Sequence, residues 1–269
     1  MARTDTVFQG SIPAIYDRYL GPLIFAPYAA DLARRLTDMR EGDVLETAAG
    51  TGIVTRALVR TLHPGIRITA TDLNQPMVVY AIAQGNAERV IWRQADALKL
   101  PFADAAFDAV VCQFGAMFFP DRIAGYREAL RVLKPGGWFI FNVWDRIEEN
   151  EFTSVVTDAV AAMFPEDPPR FLARTPHGYH DTDVIRRDVE AAGFKQIEVE
   201  TIAHRSRAPS HRDPAVGFCQ GTPLRNEIEA RDASRLSEAT EAAASALAAR
   251  FGTGAIEGKI QAHVITAVK

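Results

Sequence analysis

The sequence predicts an α/β fold in which a mostly parallel, seven-stranded sheet carries helices on both faces. Three observations carry that prediction. Short apolar runs alternate with segments of helical spacing from Asp43 to Val143. A Gly-x-Gly turn follows the first run. After Trp144 the rhythm changes, and two further strand-like runs, separated by a long stretch, complete the sheet.

The elements follow in order. Asp43-Val44-Leu45-Glu46-Thr47 is a short buried strand that runs into Ala48-Ala49-Gly50-Thr51-Gly52, and Ile53 to Leu62 has helical spacing. Ile66 to Asp72 is a second strand. Gln75 to Gln84 is a helix opened by Asn74 as a cap, with Pro76 in its first turn. Val90 to Gln94 and Phe107 to Cys112 are the third and fourth strands, and a helix covers Ile123 to Leu133. Lys134-Pro135-Gly136-Gly137 reads as a turn before a fifth strand, Trp138 to Val143. Strands alternating with helices imply right-handed crossovers and a parallel sheet.

Beyond Trp144, Glu151 to Met163 is helical and is broken by the proline-rich run Phe164 to Arg170. Asp183 to Ala192 is a helix closed by Gly193. Lys195 to Ile202 and Lys259 to Val268 are the last strands. Roughly fifty residues lie between them with helices of their own, including the alanine-rich stretch Glu238 to Arg250; insertions of that length in a compact domain are usually functional. The expected organisation is an N-terminal helical lid segment over residues 1–40 and a core over 41–269, with helical cap insertions at about 149–180 and 206–258.

Composition narrows the function classes. With 48% hydrophobic residues the 269-residue chain can bury a sizeable core, and a net charge of -4 argues against a sequence-independent grip on nucleic acid. Cys112 and Cys219 form neither a disulfide framework nor a metal-ligand pattern. Leu20 to Ala30 is apolar, but two prolines interrupt it and it is shorter than the ~20 residues a membrane span takes. A cytoplasmic protein without nucleic acid or membrane insertion is expected.

The chemistry concentrates at the first loop. Gly50 and Gly52 let the backbone turn tightly and approach a ligand, and the following helix offers its first N–H groups. About 20 residues further on, Asp72 ends the second strand, where a carboxylate can take both hydroxyls of a ribose. A nicotinamide dinucleotide loop would place a third glycine where Thr55 stands, so the loop suits a nucleoside without phosphates.

Five ordered segments then resemble those of class I S-adenosylmethionine-dependent methyltransferases, more narrowly the branch that includes the ubiquinone and menaquinone biosynthesis C-methyltransferases and many small-molecule methyltransferases. Val44 to Gly52 resembles the first motif, Thr71 to Met77 the ribose-binding segment, and Gln94 to Phe102 the adenine-binding segment. Phe107 to Phe114 resembles the fourth strand, and Arg131 to Gly137 the turn before the fifth. The resemblance is strong over about residues 41–143 and implies a Rossmann-like fold, S-adenosyl-L-methionine as cofactor, and methyl transfer to an O, C or N atom of a small molecule. It assigns Glu46 to orienting the loop or a water near the cofactor ammonium. Ala48, Ala49 and Gly50, with Gly52 behind them, meet the methionine part. Asp72 takes the ribose, Leu73 the adenine face with Met77 in the same segment, Asp96 the adenine amino group and Ala97 a ring nitrogen. Gln113 lies beside the methyl group. The family's usual residue at Ala48 is glycine. Asp72 as a helix cap and Asp96 as a turn residue are the plain alternatives.

The transfer needs a base only where the acceptor must lose a proton. His177, His180 and His204 are candidates, against the plain reading of each as a cap or surface histidine. His177-x-x-His180-Asp181 lacks a third ligand, so no metal is expected. Tyr16, Tyr19 and Tyr28 either close over the cofactor or pack an N-terminal helix on the core. Asp167-Pro168-Pro169-Arg170 resembles an Asp-Pro-Pro-aromatic motif of amino-methylating nucleic-acid enzymes, but it follows the fifth strand instead of the fourth. A nicotinamide-dependent oxidoreductase and a non-catalytic S-adenosylmethionine-binding protein are the competing readings; the first also lacks a Tyr-x-x-x-Lys pair.

Overall fold

The computed structural model describes residues 5–85 and 88–269, so Met1–Thr4 of the expected lid segment lie outside the described residues. The strands are β1 (Gly42–Glu46), β2 (Ile66–Asp72), β3 (Val90–Gln94), β4 (Phe107–Gln113), β5 (Leu133–Trp144), β6 (Gln196–Ala208) and β7 (Ile256–Val268). They form one seven-stranded sheet in the order β3-β2-β1-β4-β5-β7-β6. The first five are parallel, with Glu46 opposite both Ala70 and Val111, Asp72 opposite Gln94, and Gln113 opposite Asn142. That register brings the carboxyl ends of β1 to β5 to one edge of the sheet. β7 runs the other way: Gly136 and Gly137 bond to Lys269, whereas Asp145 bonds to Gln261.

The helices are α1 (Ile12–Ile15), α2 (Ala26–Arg34), α3 (Ile53–Thr61), α4 (Gln75–Ala83), α5 (Arg122–Val132), α6 (Glu151–Ala162), α7 (Phe171–Arg174), α8 (Thr182–Ala192), α9 (Arg212–Gln220), α10 (Leu224–Asp232) and α11 (Leu236–Phe251). Tyr16–Phe25 between α1 and α2 winds as a π-helix with Pro22 inside it, a position whose missing N–H breaks the ordinary α ladder. Among the described residues no helix is long and apolar enough to cross a membrane.

Two compact units share the chain. One comprises Met1–Phe25, Trp144–Tyr179 and Ala203–Gln261; the other comprises Ala26–Val143, His180–Ile202 and Ala262–Lys269. We call them the outer-segment unit and the sheet unit. The expected N-terminal segment is divided between them at Phe25.

In the sheet unit, both faces of β5 are buried because alternate residues serve different layers. Ile140 joins Val44, Val111, Leu32, Leu36 and Leu58 in a core shared with α2 and α3. Phe139 and Phe141 stack at 4.8 Å, with Tyr126 of α5 5.0 Å from Phe141 and Phe194 5.6 Å from Phe139. Each fully buried side chain of this size contributes about 1.5–3 kcal/mol by leaving water. The expected Lys134–Gly137 turn is a bulge inside β5: Phe107 faces Leu133 while Ala109 already faces Trp138, and Gly136 takes φ +78°. Asp181 caps α8 through bonds from Asp183 and Val184, and Gly193 closes it at φ +115°. Asn74 stands at the start of α4, but its side chain makes no capping bond there.

The outer-segment unit is built from three stretches of chain. α6 and α9 pack on α11, and Phe152 meets Phe251 edge-on at 5.0 Å. Arg174 binds the buried Asp5 through both guanidinium nitrogens, at 2.5 and 2.9 Å, and also holds Glu227 at 2.7 Å. Arg231 takes Asp167, and Glu227 accepts the Arg170 N–H, so the Asp-Pro-Pro-Arg run is fastened to α10. β6 extends past the expected Ile202 because Arg205 and Arg207 alternate outward onto Glu257.

Candidate functional site

Backbone geometry at the end of β1 explains the spacing of the first motif. Ala48, Gly50 and Gly52 all take left-handed backbone angles, at φ +52°, +56° and +81°. Gly50 has no atom within 4 Å of where a Cβ would stand, so its glycine is required by conformation alone. At Gly52 a Cβ would also press on Trp92 at 3.0 Å. Ala48 is the one non-glycine in the three, at the position where the methyltransferases that the motif resembles usually carry glycine; the left-handed angle costs an alanine about 1–2 kcal/mol.

Asp72 organises the loop. Its Oδ2 accepts the Gly50 N–H and its Oδ1 the Asn74 N–H, both at 2.8 Å. The Asn74 side chain adds a third bond to the carboxylate, which keeps acceptor capacity for a ribose hydroxyl. Burial pushes its pKa up against those three bonds. Beside it, Leu73 is 50% exposed, an apolar surface at the strand end, while Met77 of α4 is buried.

Glu46 is 2% exposed and accepts Thr55 Oγ1 at 2.6 Å. Burial, reinforced by the Asp72 charge, raises its pKa to about 8 despite that bond. Thr55, where a dinucleotide loop would have glycine, therefore holds the motif's acid in place. Thr71 also ties the loop, donating to the Glu46 carbonyl at 3.1 Å and accepting the Ala49 N–H at 2.9 Å.

Asp96 heads a turn: its Oδ1 accepts the Leu98 N–H at 2.9 Å and its carbonyl the Lys99 N–H at 3.0 Å. The side chain is exposed and Ala97 half-buried, so the turn geometry leaves the segment open to a ligand. Gln113, half-buried, ends β4. Phe114 follows at φ +50°, rare for an aromatic residue, and its N–H is held by Asn142 Oδ1 at 2.9 Å. Gly115 then abuts the first loop: a Cβ there would lie 2.4 Å from the Ala48 Cβ and 2.8 Å from Cys112 Sγ. Burial pushes the Cys112 thiol up to about 11, which keeps it protonated at neutral pH.

Sequence reasoning missed Thr55, Asn142, Phe114 and Gly115. Only Asn142 carried a signal, as a lone amide in the apolar run Trp138 to Trp144.

The histidines do not form a cluster of their own. His177 is buried in the outer-segment unit and donates Nδ1–H to the Asp145 carbonyl at 2.7 Å, since a carbonyl only accepts. His204 lies on β6 in that unit, and His180 is exposed in the sheet unit. Tyr28 packs, its ring edge-on to Phe114 at 5.3 Å and its hydroxyl on the Ile202 carbonyl. Tyr16 stacks on Phe25 at 4.8 Å, and Tyr19 is half-buried under the Arg18 guanidinium. Among the described residues no group of three or more His, Cys, Asp or Glu side chains is arranged to hold a metal.

The site fits S-adenosylmethionine in its donors and acceptors: a strand-end carboxylate with remaining acceptor capacity for the ribose, an exposed leucine for the adenine, and a buried acid at a loop opened by glycine. Comparison with known proteins agrees. Residues 45–141 match the methyltransferase domain family. A demethylmenaquinone methyltransferase of Corynebacterium urealyticum is 32% identical over 174 residues, 61% of this chain and 73% of the relative. One of Corynebacterium kroppenstedtii is 28% identical over 204 residues, 72% of this chain and 80% of the relative. Among solved structures, the Haemonchus contortus phosphoethanolamine N-methyltransferase 2, in complex with phosphomonomethylethanolamine and S-adenosylhomocysteine, superposes with a TM-score of 0.60. It is 17% identical, covering 96% of this chain and 56% of that one. These likenesses set the nicotinamide reading aside. The chain belongs to the class I S-adenosylmethionine-dependent methyltransferases, and it transfers the methyl group of that cofactor to a small-molecule acceptor.

Proposed function

We propose that the acceptor is a flat hydroxylated ring, of the quinol type that the names of the demethylmenaquinone methyltransferases carry. The supporting observation is a run of aromatic contacts within the outer-segment unit. Phe8 meets Tyr16 edge-on at 6.0 Å, Tyr16 stacks on Phe25 at 4.8 Å, Phe25 lies 6.1 Å from Trp144, and Trp144 6.1 Å from His177. Aromatic surface with few polar groups suits a flat apolar ligand. In this reading residues 149–180 and 206–258, with the N-terminal segment, select the acceptor, and the sheet unit holds the cofactor.

Bound S-adenosylmethionine supplies an electrophilic methyl on a sulfonium. The chain's share is alignment and exclusion of water. Asp72 accepts from the ribose, Leu73 covers the adenine with Met77 in the same segment, and Asp96 and the Ala97 N–H read the adenine edge. Ala48, Ala49, Gly50 and Gly52 shape the loop around the methionine part, Glu46 faces its ammonium, and Gln113 lies beside the methyl. Where the acceptor must lose a proton, His177, whose Nδ1 bonds the Asp145 carbonyl, is the candidate base. The net charge of -4 and the two buried free cysteines support a small-molecule enzyme of a reducing, cytoplasmic compartment.

Release of S-adenosylhomocysteine tests the reading, measured across reduced 1,4-naphthoquinol, catechol, a primary amine and a carboxylic acid. Turnover concentrated on the hydroxylated rings, and lost on changing Trp144 to Ala, is expected. Preference for the amine or the acid would overturn it.

A further inference from the structure

Asn142 is fully buried on β5, opposite Gln113 at the end of β4. It grips the residue that follows β4 twice, since the Phe114 N–H bonds both its carbonyl, at 3.2 Å, and its Oδ1, at 2.9 Å. An N–H must meet the amide oxygen, so the orientation of the side chain is settled. Its Nδ2 is then a buried donor, and no group among the described residues accepts from it.

Two costs therefore fall on adjacent positions. An unpaired buried amide donor costs about 1–3 kcal/mol, and a bulky residue such as Phe114 at φ +50° costs about as much again. Both lie at the carboxyl edge of the parallel strands, where such sheets bind their ligands. They also lie beside the first loop, because Gly115 rests against Ala48. Strain and an unmet donor at a ligand edge point to a group that the ligand completes.

Charge selects which part of the ligand that is. At this edge Asp72 accepts hydrogen bonds and repels anions, and Glu46 accepts from Thr55. A cofactor with an amino-acid end brings a carboxylate, and a neutral buried N–H donor is the partner it lacks among those residues. We propose that Asn142 is a positioning residue of the cofactor site, whose Oδ1 locks the Phe114 turn and whose Nδ2 donates to the carboxylate of the cofactor's amino-acid end. The proposal rests on the cofactor placement given above and is independent of the acceptor.

The test compares two ligands on the full chain by calorimetry. S-adenosylhomocysteine has the amino-acid end; 5′-methylthioadenosine lacks it. Asn142→Asp keeps an oxygen for the Phe114 N–H and removes the donor. Binding of S-adenosylhomocysteine should weaken about 10–150-fold, the range for a hydrogen bond to a charged group, with methylthioadenosine within about threefold. A role confined to folding would weaken both ligands alike, and that outcome, or no change in either, would overturn the proposal. Wild-type protein gives a second measurement that needs no variant. The Asn142 side-chain amide, followed by 15N NMR, should move downfield with S-adenosylhomocysteine and not with methylthioadenosine; equal shifts with both would overturn it. Wild-type affinity for S-adenosylhomocysteine tests the cofactor placement itself, separately from this ratio.

Discussion

The loop that ends β1 and the turn that ends β4 meet the same geometric demand with different residues. Both bend through left-handed backbone at the ligand edge of the sheet. The first loop uses glycine at two of its three left-handed positions and alanine at the third; the second uses Phe114, fastened by Asn142. Glycine adopts its left-handed angle without strain, and Asp72 and Thr71 then tie that loop, whereas Phe114 bears strain that Asn142 must hold. The first loop is thereby preformed, and the second is held by a neighbouring strand and by contact with the first through Gly115 and Ala48.

That contact gives the largest expected effect. Gly115→Ala places a methyl 2.4 Å from the Ala48 Cβ, far inside contact distance, and should cost about 3 kcal/mol in urea denaturation. Gly50→Ala has open space and bears only left-handed strain, about 1–2 kcal/mol. The double variant Ala48→Gly, Gly115→Ala should recover much of the loss, limited by Cys112 Sγ. If the two single glycine changes cost the same, the loops do not depend on each other as their contact implies.

Asp72 sharpens the comparison from the side of the first loop. Asp72→Ala removes the anchor of Gly50 and the expected ribose acceptor together, and S-adenosylhomocysteine affinity should fall by about 1.5–3 kcal/mol. Calorimetry finding unchanged affinity would reduce Asp72 to a loop brace.

Glu46 adds a pH dependence confined to the first loop. Its folded pKa of about 8 lies above the ordinary 4.5, so the folded chain holds a proton there that the unfolded chain has lost. Its contribution to stability is present below about pH 4.5 and declines as pH rises towards 8. Glu46→Gln should flatten that decline. In the proposed site the cofactor ammonium favours the ionised form, so binding S-adenosylhomocysteine at pH 7 should release a proton. Titrations in buffers of different ionisation enthalpy would detect it, and Glu46→Gln should abolish it and weaken binding about tenfold, the size of one charge-assisted bond. Proton release unchanged in that variant would assign it elsewhere.

Legibility followed the range of the interactions. Gly50, Gly52 and Asp72 announce themselves because residue type and spacing suffice for a turn and a strand end. Phe114 does not, since nothing in an aromatic residue signals positive φ; its cause lies 28 residues away in Asn142. The Asp5–Arg174 pair joins residues 169 apart and left no mark in the local pattern, as did the extension of β6, where Arg205 and Arg207 masked the alternation. The turn expected at Lys134–Gly137 was visible as glycine chemistry, but whether it would end β5 or bulge within it depended on pairing with β4. Asp96 shows both readings in one residue, because a carboxylate that heads a turn also keeps acceptor capacity at its exposed side.

The smallest expected effect isolates the strain in the first loop. Ala48 is held at φ +52°, and its methyl faces Gly115. Replacing it with glycine relieves about 1–2 kcal/mol of left-handed strain, while the freer unfolded chain takes back about 0.4–1 kcal/mol. A net gain of about 1 kcal/mol should remain, seen as a rise of roughly 2 °C in the melting temperature for a chain of this size. Because the methyl packs on Gly115, S-adenosylhomocysteine affinity should stay within about twofold of wild type. Loss of stability in Ala48→Gly would mean that the contact between the two loops outweighs the backbone strain, and that the alanine braces the turn at the end of β4.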